Sequence, residues 1–217
     1  MPGTGASRGR GTARTGTAAA LALAVLALAG CGSHSATPAA PQLSGLVRDP
    51  APAVDRLTLP NVAARGRPLR FRAAPGGLLL VYFGYTRCPD VCPTTMSDVR
   101  VALAGLGASE RQRVRMAMVT VDPRRDTPGV LTHYVHSFFP HGAALRTADG
   151  VRLERVAKEF GAAFRVTRKK NGKVAVLHTT YVYAVDDTGH LRVQWGYGTR
   201  PTAYRQDVRK LLKEPSA

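Results

Sequence analysis

The sequence predicts an α/β fold, with a central mixed sheet flanked by helices and a C-terminal β-hairpin and helix. Three observations predict it. Continuous apolar runs of strand length, residues 78–83 and 116–121, are separated by a stretch with helical period. Two later helical stripes each begin at a proline, Pro128 and Pro201. A turn at Asp186-Asp187-Thr188-Gly189 divides two strand-like segments. Alternating strands and helices imply parallel pairing, and a tight hairpin adds antiparallel strands.

Taken in order, residues 32–54 are rich in Ser, Ala, Pro and Gly and show no helix or strand period, so residues 31–54 are expected to be a flexible tether. The pattern changes at Leu57. A turn at Arg65-Gly66-Arg67-Pro68 leads to a short strand at Leu69-Arg70-Phe71. The run Leu78-Leu79-Leu80-Val81-Tyr82-Phe83 has the unbroken apolar character of a strand buried on both faces. Met96, Val99, Leu103 and Leu106 then form one helical stripe, which Gly105 and Gly107 help to stop. The next strand, residues 116–121, ends at Asp122-Pro123. Thr127 caps a helix whose first residue is Pro128 and whose stripe is Leu131, Val135 and Phe138. Leu153, Val156 and Phe160 mark a shorter helix. Residues 180–185 and 190–195 form the hairpin, and Tyr204, Val208 and Leu211 face inward from the last helix. This order is thioredoxin-like and places the domain at residues 55–217. Ligands of such sheets bind beyond the carboxyl ends of the parallel strands.

The first thirty residues predict an export signal. Arg8, Arg10 and Arg14 form a positive start, and the apolar run at residues 18–29 is shorter than the roughly 20 residues a spanning helix needs. It ends in Leu28-Ala29-Gly30-Cys31, which resembles a bacterial lipobox. Residues 1–30 are therefore expected to be a lipoprotein signal peptide, and Cys31 the lipid-attachment residue. The mature protein would be lipid-anchored to the cell membrane and face the extracytoplasmic side. The chain carries a formal charge of +17 over 217 residues. So basic a chain could meet nucleic acid, anionic lipid or an acidic partner, and an extracytoplasmic address excludes nucleic acid.

Two of the three cysteines remain for the domain, Cys88 and Cys92. A disulfide across so short a span constrains the unfolded chain little, so reactive or metal-binding thiols are the stronger reading. Cys88 lies in the loop after the first long strand and Cys92 in the first helical turn. A helix N-terminus favours thiolates and Arg87 adds a cation, so both sulfurs are expected to deprotonate more readily than a free thiol. Two thiolates form half of a soft metal site, and an imidazole completes a set suited to copper. His178 is the candidate. It lies just before the strand near Thr180, in a loop that faces the thiol pair in thioredoxin-like folds. Val176-Leu177-His178-Thr179 lacks the proline that redox members carry there.

The stretch Val81-Tyr82-Phe83-Gly84-Tyr85-Thr86-Arg87-Cys88-Pro89-Asp90-Val91-Cys92-Pro93 resembles the signature of the Sco/SenC family. So do Val121-Asp122-Pro123-Arg124-Arg125-Asp126-Thr127-Pro128 and the late His178. The resemblance covers residues 57–212, nearly all of the domain. It departs at Ala73-Ala74-Pro75-Gly76-Gly77, which lacks an expected Gly-Lys. The resemblance implies a copper protein that assists assembly of the binuclear copper centre of cytochrome c oxidase. Cys88, Cys92 and His178 match the family's copper ligands position by position. Asp122 matches its acidic motif, with a supporting role behind the ligands or at the docking surface. The partners implied are the copper-bearing oxidase subunit and another copper carrier as donor. The working copper would be Cu(I), Cu(II) or both.

Such a protein is not an enzyme in the ordinary sense. It holds copper at an accessible edge and releases it by ligand exchange. A Cys88–Cys92 redox disulfide would gate binding. Two rivals use the same residues: a thiol–disulfide oxidoreductase, and a redox or copper sensor. Other residues receive plainer readings. His133 and His136, one helical turn apart, are expected to be solvated. Met116 and Met118 are expected in the core, Trp195 and Tyr197 in core or rim packing, and Lys169, Lys170 and Lys173 in a solvated turn around Asn171-Gly172.

Overall fold

The computed structural model describes residues 42–214. The expected signal peptide, Cys31 and most of the tether lie outside the described residues. In chain order the elements are β1 (Leu46–Val47), β2 (Thr58–Asn61), a 3-10 turn (Val62–Ala64), β3 (Arg67–Arg70), β4 (Leu78–Gly84), α1 (Val91–Ala104), α2 (Ala108–Gln112), β5 (Val114–Thr120), α3 (Pro128–Phe138), β6 (Ala143–Leu145), α4 (Gly150–Glu159), β7 (Phe164–Arg168), β8 (Val174–His178), β9 (Val182–Val185), β10 (Leu191–Trp195) and α5 (Pro201–Leu211).

β4 organises the molecule. All seven of its residues are buried, because it has neighbours on both edges and layers on both faces. Leu78, Leu80 and Tyr82 point into one core with α1, α3 and α5, where Met96, Val99, Leu131 and Val208 pack. Leu79, Val81 and Phe83 point into a second core with α4, built on Phe71, Leu153, Phe160 and Tyr183. Each large apolar side chain so buried contributes about 1.5–3 kcal/mol. The two cores explain why the run carries no polar alternation.

The main sheet has the order β1-β10-β9-β4-β5-β6-β2-β3. β4, β5 and β6 run parallel, and β9 joins β4 antiparallel, with Tyr82 opposite Val182. The mixed, thioredoxin-like sheet expected from the sequence is therefore present. β7 and β8 form a separate two-stranded sheet. Thr127 caps α3 by accepting from the Val130 N–H, with Pro128 first in the helix, and Asp149 caps α4 through the Arg152 N–H.

The folded unit begins earlier than position 55. Leu46 and Val47 pair with Gln194 and Val193 of β10, and Val54 is fully buried. Asp207 of α5 fixes this segment by accepting from the Ser44 and Gly45 N–H groups at 2.8 and 3.1 Å. The composition of a tether hid it, because the strand is two residues long and its side chains stay exposed. No helix among the described residues is long and apolar enough to cross a membrane.

Candidate metal centre

The thiols sit where β4 ends and α1 begins, at the carboxyl edge of the parallel strands. Cys88 is half-buried in the loop, while Cys92 is fully buried in the first turn of α1. Both are free thiols. The Cys92 N–H, freed by its place at the helix start, donates to Cys88 Sγ at 3.3 Å. Gly84 makes room for the second sulfur. A Cβ there would stand 2.6 Å from Tyr82 Cε1 and 3.2 Å from Cys92 Sγ.

His178 arrives from the far side of the chain. It is the last residue of β8, paired with Phe164 of β7. It therefore belongs to a strand of the small hairpin, while β9 starts only at Val182. Thr179 pins this end, its N–H donating to the Ala163 carbonyl at 2.8 Å while its hydroxyl accepts from the Ala163 N–H at 3.0 Å. The ring lies edge-on to Tyr82 and Tyr85, with centroids 6.1 and 5.7 Å away. Nδ1 lies 3.0 Å from the Thr179 carbonyl, which can only accept. Nδ1 therefore carries the hydrogen and Nε2 keeps its lone pair. Nε2 lies 3.5 Å from Cys92 Sγ.

The three ligand atoms lie within 4.8 Å of one another, the one such His/Cys/Asp/Glu group among the described residues. Two sulfurs and one imidazole without a carboxylate suit soft or borderline ions rather than calcium or magnesium. Burial lowers the His178 pKa, against the raising effect of the Thr179 and Phe83 carbonyls, so the ring is neutral and able to ligate near pH 7. Burial also pushes the Cys92 thiol up to about 12. The expectation of two easily ionised sulfurs is corrected for Cys92, where loss of solvent outweighs the helix end. Burial and then the neighbouring Cys92 raise the Tyr82 hydroxyl. Tyr82 thus stays protonated, and its buried hydroxyl has no hydrogen-bond partner among the described residues.

Asp122 stands behind this group rather than in it. Its carboxylate is taken up by Arg125 and, at 2.8 Å, by Arg168 of β7. Arg125 in turn lies over the Tyr85 ring at 5.9 Å. Asp126 is fully buried and accepts from the Thr86 N–H at 3.1 Å, the Thr86 hydroxyl at 2.6 Å and the Thr120 hydroxyl at 2.5 Å. It holds the loop that leads into Cys88. Asp126, Tyr82, Gly84 and Arg168 received no role from the sequence. The first three stand inside its two long motifs, so their position there was a signal. Arg168 had none. His133 is exposed as expected, whereas His136 is half-buried rather than solvated, with Nε2 3.2 Å from the Gly142 carbonyl. Met116 and Met118 are buried in the core.

Fold and site together define a thioredoxin-like domain whose two thiols and one imidazole are grouped as a metal ion could use them. The chain belongs to the SCO1/SenC family, whose profile matches residues 60–213. It is similar to apo Sco1 of Thermus thermophilus, at 28% identity and a TM-score of 0.66, covering 78% of this chain and 95% of that one. It is also similar to Bradyrhizobium japonicum ScoI solved with copper bound, at 26% identity and a TM-score of 0.61, covering 71% and 96%. Protein SenC of Rhodobacter capsulatus is 34% identical over 107 residues, 49% of this chain and 48% of that protein. The chain spans about half the length of the curated relatives it matches, from 42% of yeast SCO2 to 61% of a Stutzerimonas stutzeri relative.

Proposed function

We propose that this protein binds one copper ion through Cys88 Sγ, Cys92 Sγ and His178 Nε2, and delivers it to the copper-bearing subunit of cytochrome c oxidase. The convergence of those three atoms within 4.8 Å carries the reading. Its support is the soft donor set, the family, and the copper held by the Bradyrhizobium relative. Release follows from the site's exposure. Cys88 stands at the open side while Cys92 is buried, so an incoming ligand displaces Cys88 first. Cys31 would hold the protein at the outer face of the membrane, and another copper carrier would load it.

Anaerobic Cu(I) titration of the reduced protein against a competing chelator tests this. One equivalent binds, and Cys88→Ser, Cys92→Ser and His178→Ala each lower affinity by more than the roughly 10–100-fold that outer partners of a metal site cost. Binding that survives all three replacements removes the site.

A second reading, dithiol reduction, is favoured by one observation: the two free thiols are adjacent, and Cys88, which accepts from the Cys92 N–H, is the more exposed of them. That activity would survive His178→Ala, whereas copper carriage would not.

A further inference from the structure

Charge is unevenly spread over the described residues. The loops and hairpin that surround the thiols, residues 84–93, 122–130 and 162–181, expose Arg87, Arg124, Arg165, Lys169, Lys170 and Lys173. Their acids are Asp90, Asp122 and Asp126. Asp122 is held by Arg125 and Arg168, and Asp126 is buried against Thr86 and Thr120. Asp90 alone of these three is exposed. Elsewhere Arg192 pairs with Asp186 and Glu214, and Arg209 with Glu110, while Arg72 and Arg113 donate to backbone carbonyls. Around the thiols, then, exposed cations face a single exposed acid, Asp90.

Apolar side chains stand among these cations. Leu177, opposite Arg165 on the outer side of the hairpin, is 71% exposed. Tyr181, at the start of β9, and Tyr197, after β10, are exposed as well. A cationic border with apolar contacts inside it is the anatomy of a protein-binding patch.

We infer that this face docks a partner protein whose metal-receiving surface carries an acidic border, and that attraction between the two sets the rate of copper transfer. The inference rests on the proposed copper delivery. Ligand exchange brings the acceptor's own ligands to bonding distance of the metal, and Cys88 is the half-open sulfur. The acceptor must therefore cover the face bordered by Arg87 and the hairpin. Anionic lipid would also attract these cations, but a membrane on this face would cover the half-buried Cys88 through which exchange proceeds. Complementary charge steers encounter and is screened beyond about 8 Å at physiological ionic strength.

The test is stopped-flow copper transfer from the loaded full chain in detergent to the apo, soluble copper domain of a bacterial oxidase subunit, at low and high salt. The variant is Lys169→Glu/Lys170→Glu/Lys173→Glu, which touches no ligand. Both proteins are expected to bind one copper equally. At low salt the variant is expected to transfer about tenfold or more slowly, with the difference lost near 1 M salt. An acceptor whose acidic border is changed to lysine should restore the variant's rate. Equal rates at low salt, or a deficit that salt leaves unchanged, overturn the docking inference while copper binding stands. Flotation with phosphatidylglycerol vesicles gives the lipid alternative its own readout. Vesicle binding lost in the variant with transfer unchanged assigns the face to lipid and overturns the inference. A wild-type protein that loads copper but transfers none refutes delivery itself, and the docking inference with it.

Discussion

Single residues decide whether the centre can hold a metal. Cys92 is buried and its thiol is pushed up to about 12, so copper must displace a proton near pH 7. His178 is already neutral there, its pKa lowered by burial. Copper affinity should then rise with pH by about tenfold per unit for each proton released, read by chelator competition between about pH 6.5 and 8.5; a flat profile contradicts the buried thiol. The same shift acts on the apo fold. The native thiol titrates near 12 and the unfolded one near its ordinary 9.0, so stability is intact below about 9 and declines as pH rises toward 12. Gly84 is the other residue of this kind. Gly84→Ala puts a methyl group against Tyr82 and Cys92, which should cost about 1–3 kcal/mol of stability and weaken copper binding in the same titration. Unchanged binding would mean that the sulfur has room to move.

Elements bring these residues together, and the hairpin β7–β8 is the least supported of them. It lies outside the main sheet and is tied down at Arg168 by Asp122. Asp122→Asn leaves two guanidinium groups without their carboxylate. The cost should be about 1–3 kcal/mol, below the range for fully buried pairs because Arg168 keeps part of its water. Hydrogen exchange should quicken in residues 164–178 while β4 and β5 keep their protection, and copper affinity should fall. Equal exchange in the hairpin would deny Asp122 its positioning role. Elements with a strong period were legible in the sequence: β4, β5, α1, α3, α4, the β9–β10 hairpin and α5. So was the meeting of Cys88, Cys92 and His178 at one place, because their residue types and order suggested it. Among the short elements β3 was legible, though it starts at Arg67, inside the expected turn, and ends at Arg70; the others were not. β6 has three residues, all buried, and its place is set by neighbours on both edges rather than by its own pattern. α2 has five residues. β7 and β8 alternate half-buried with exposed positions, yet their Lys-rich turn looked like plain loop. The Cys92 shift was misjudged because local sequence reports the helix end but not the depth of burial.

At the largest scale, the eight-stranded sheet and the separate β7–β8 sheet meet at the thiol–imidazole group. The molecule's N-terminal edge depends on Asp207, whose Oδ2 accepts from Ser44, Gly45 and the Trp195 indole N–H at 2.8–3.1 Å. Asp207→Ala should cost about 2–4 kcal/mol for three bonds to a buried carboxylate. That lowers Tm by roughly 5–15 °C, with copper affinity of the folded protein unchanged; an unaltered Tm would detach β1 from the stability of the domain. The central claim is that β4, α1 and the hairpin place two sulfurs and one imidazole around a single copper ion. X-ray absorption at the copper edge of the loaded protein tests it most directly. The account predicts two sulfur neighbours and one imidazole nitrogen, with the imidazole signal lost in His178→Ala. A copper shell without sulfur, or one unaltered by His178→Ala, would contradict it.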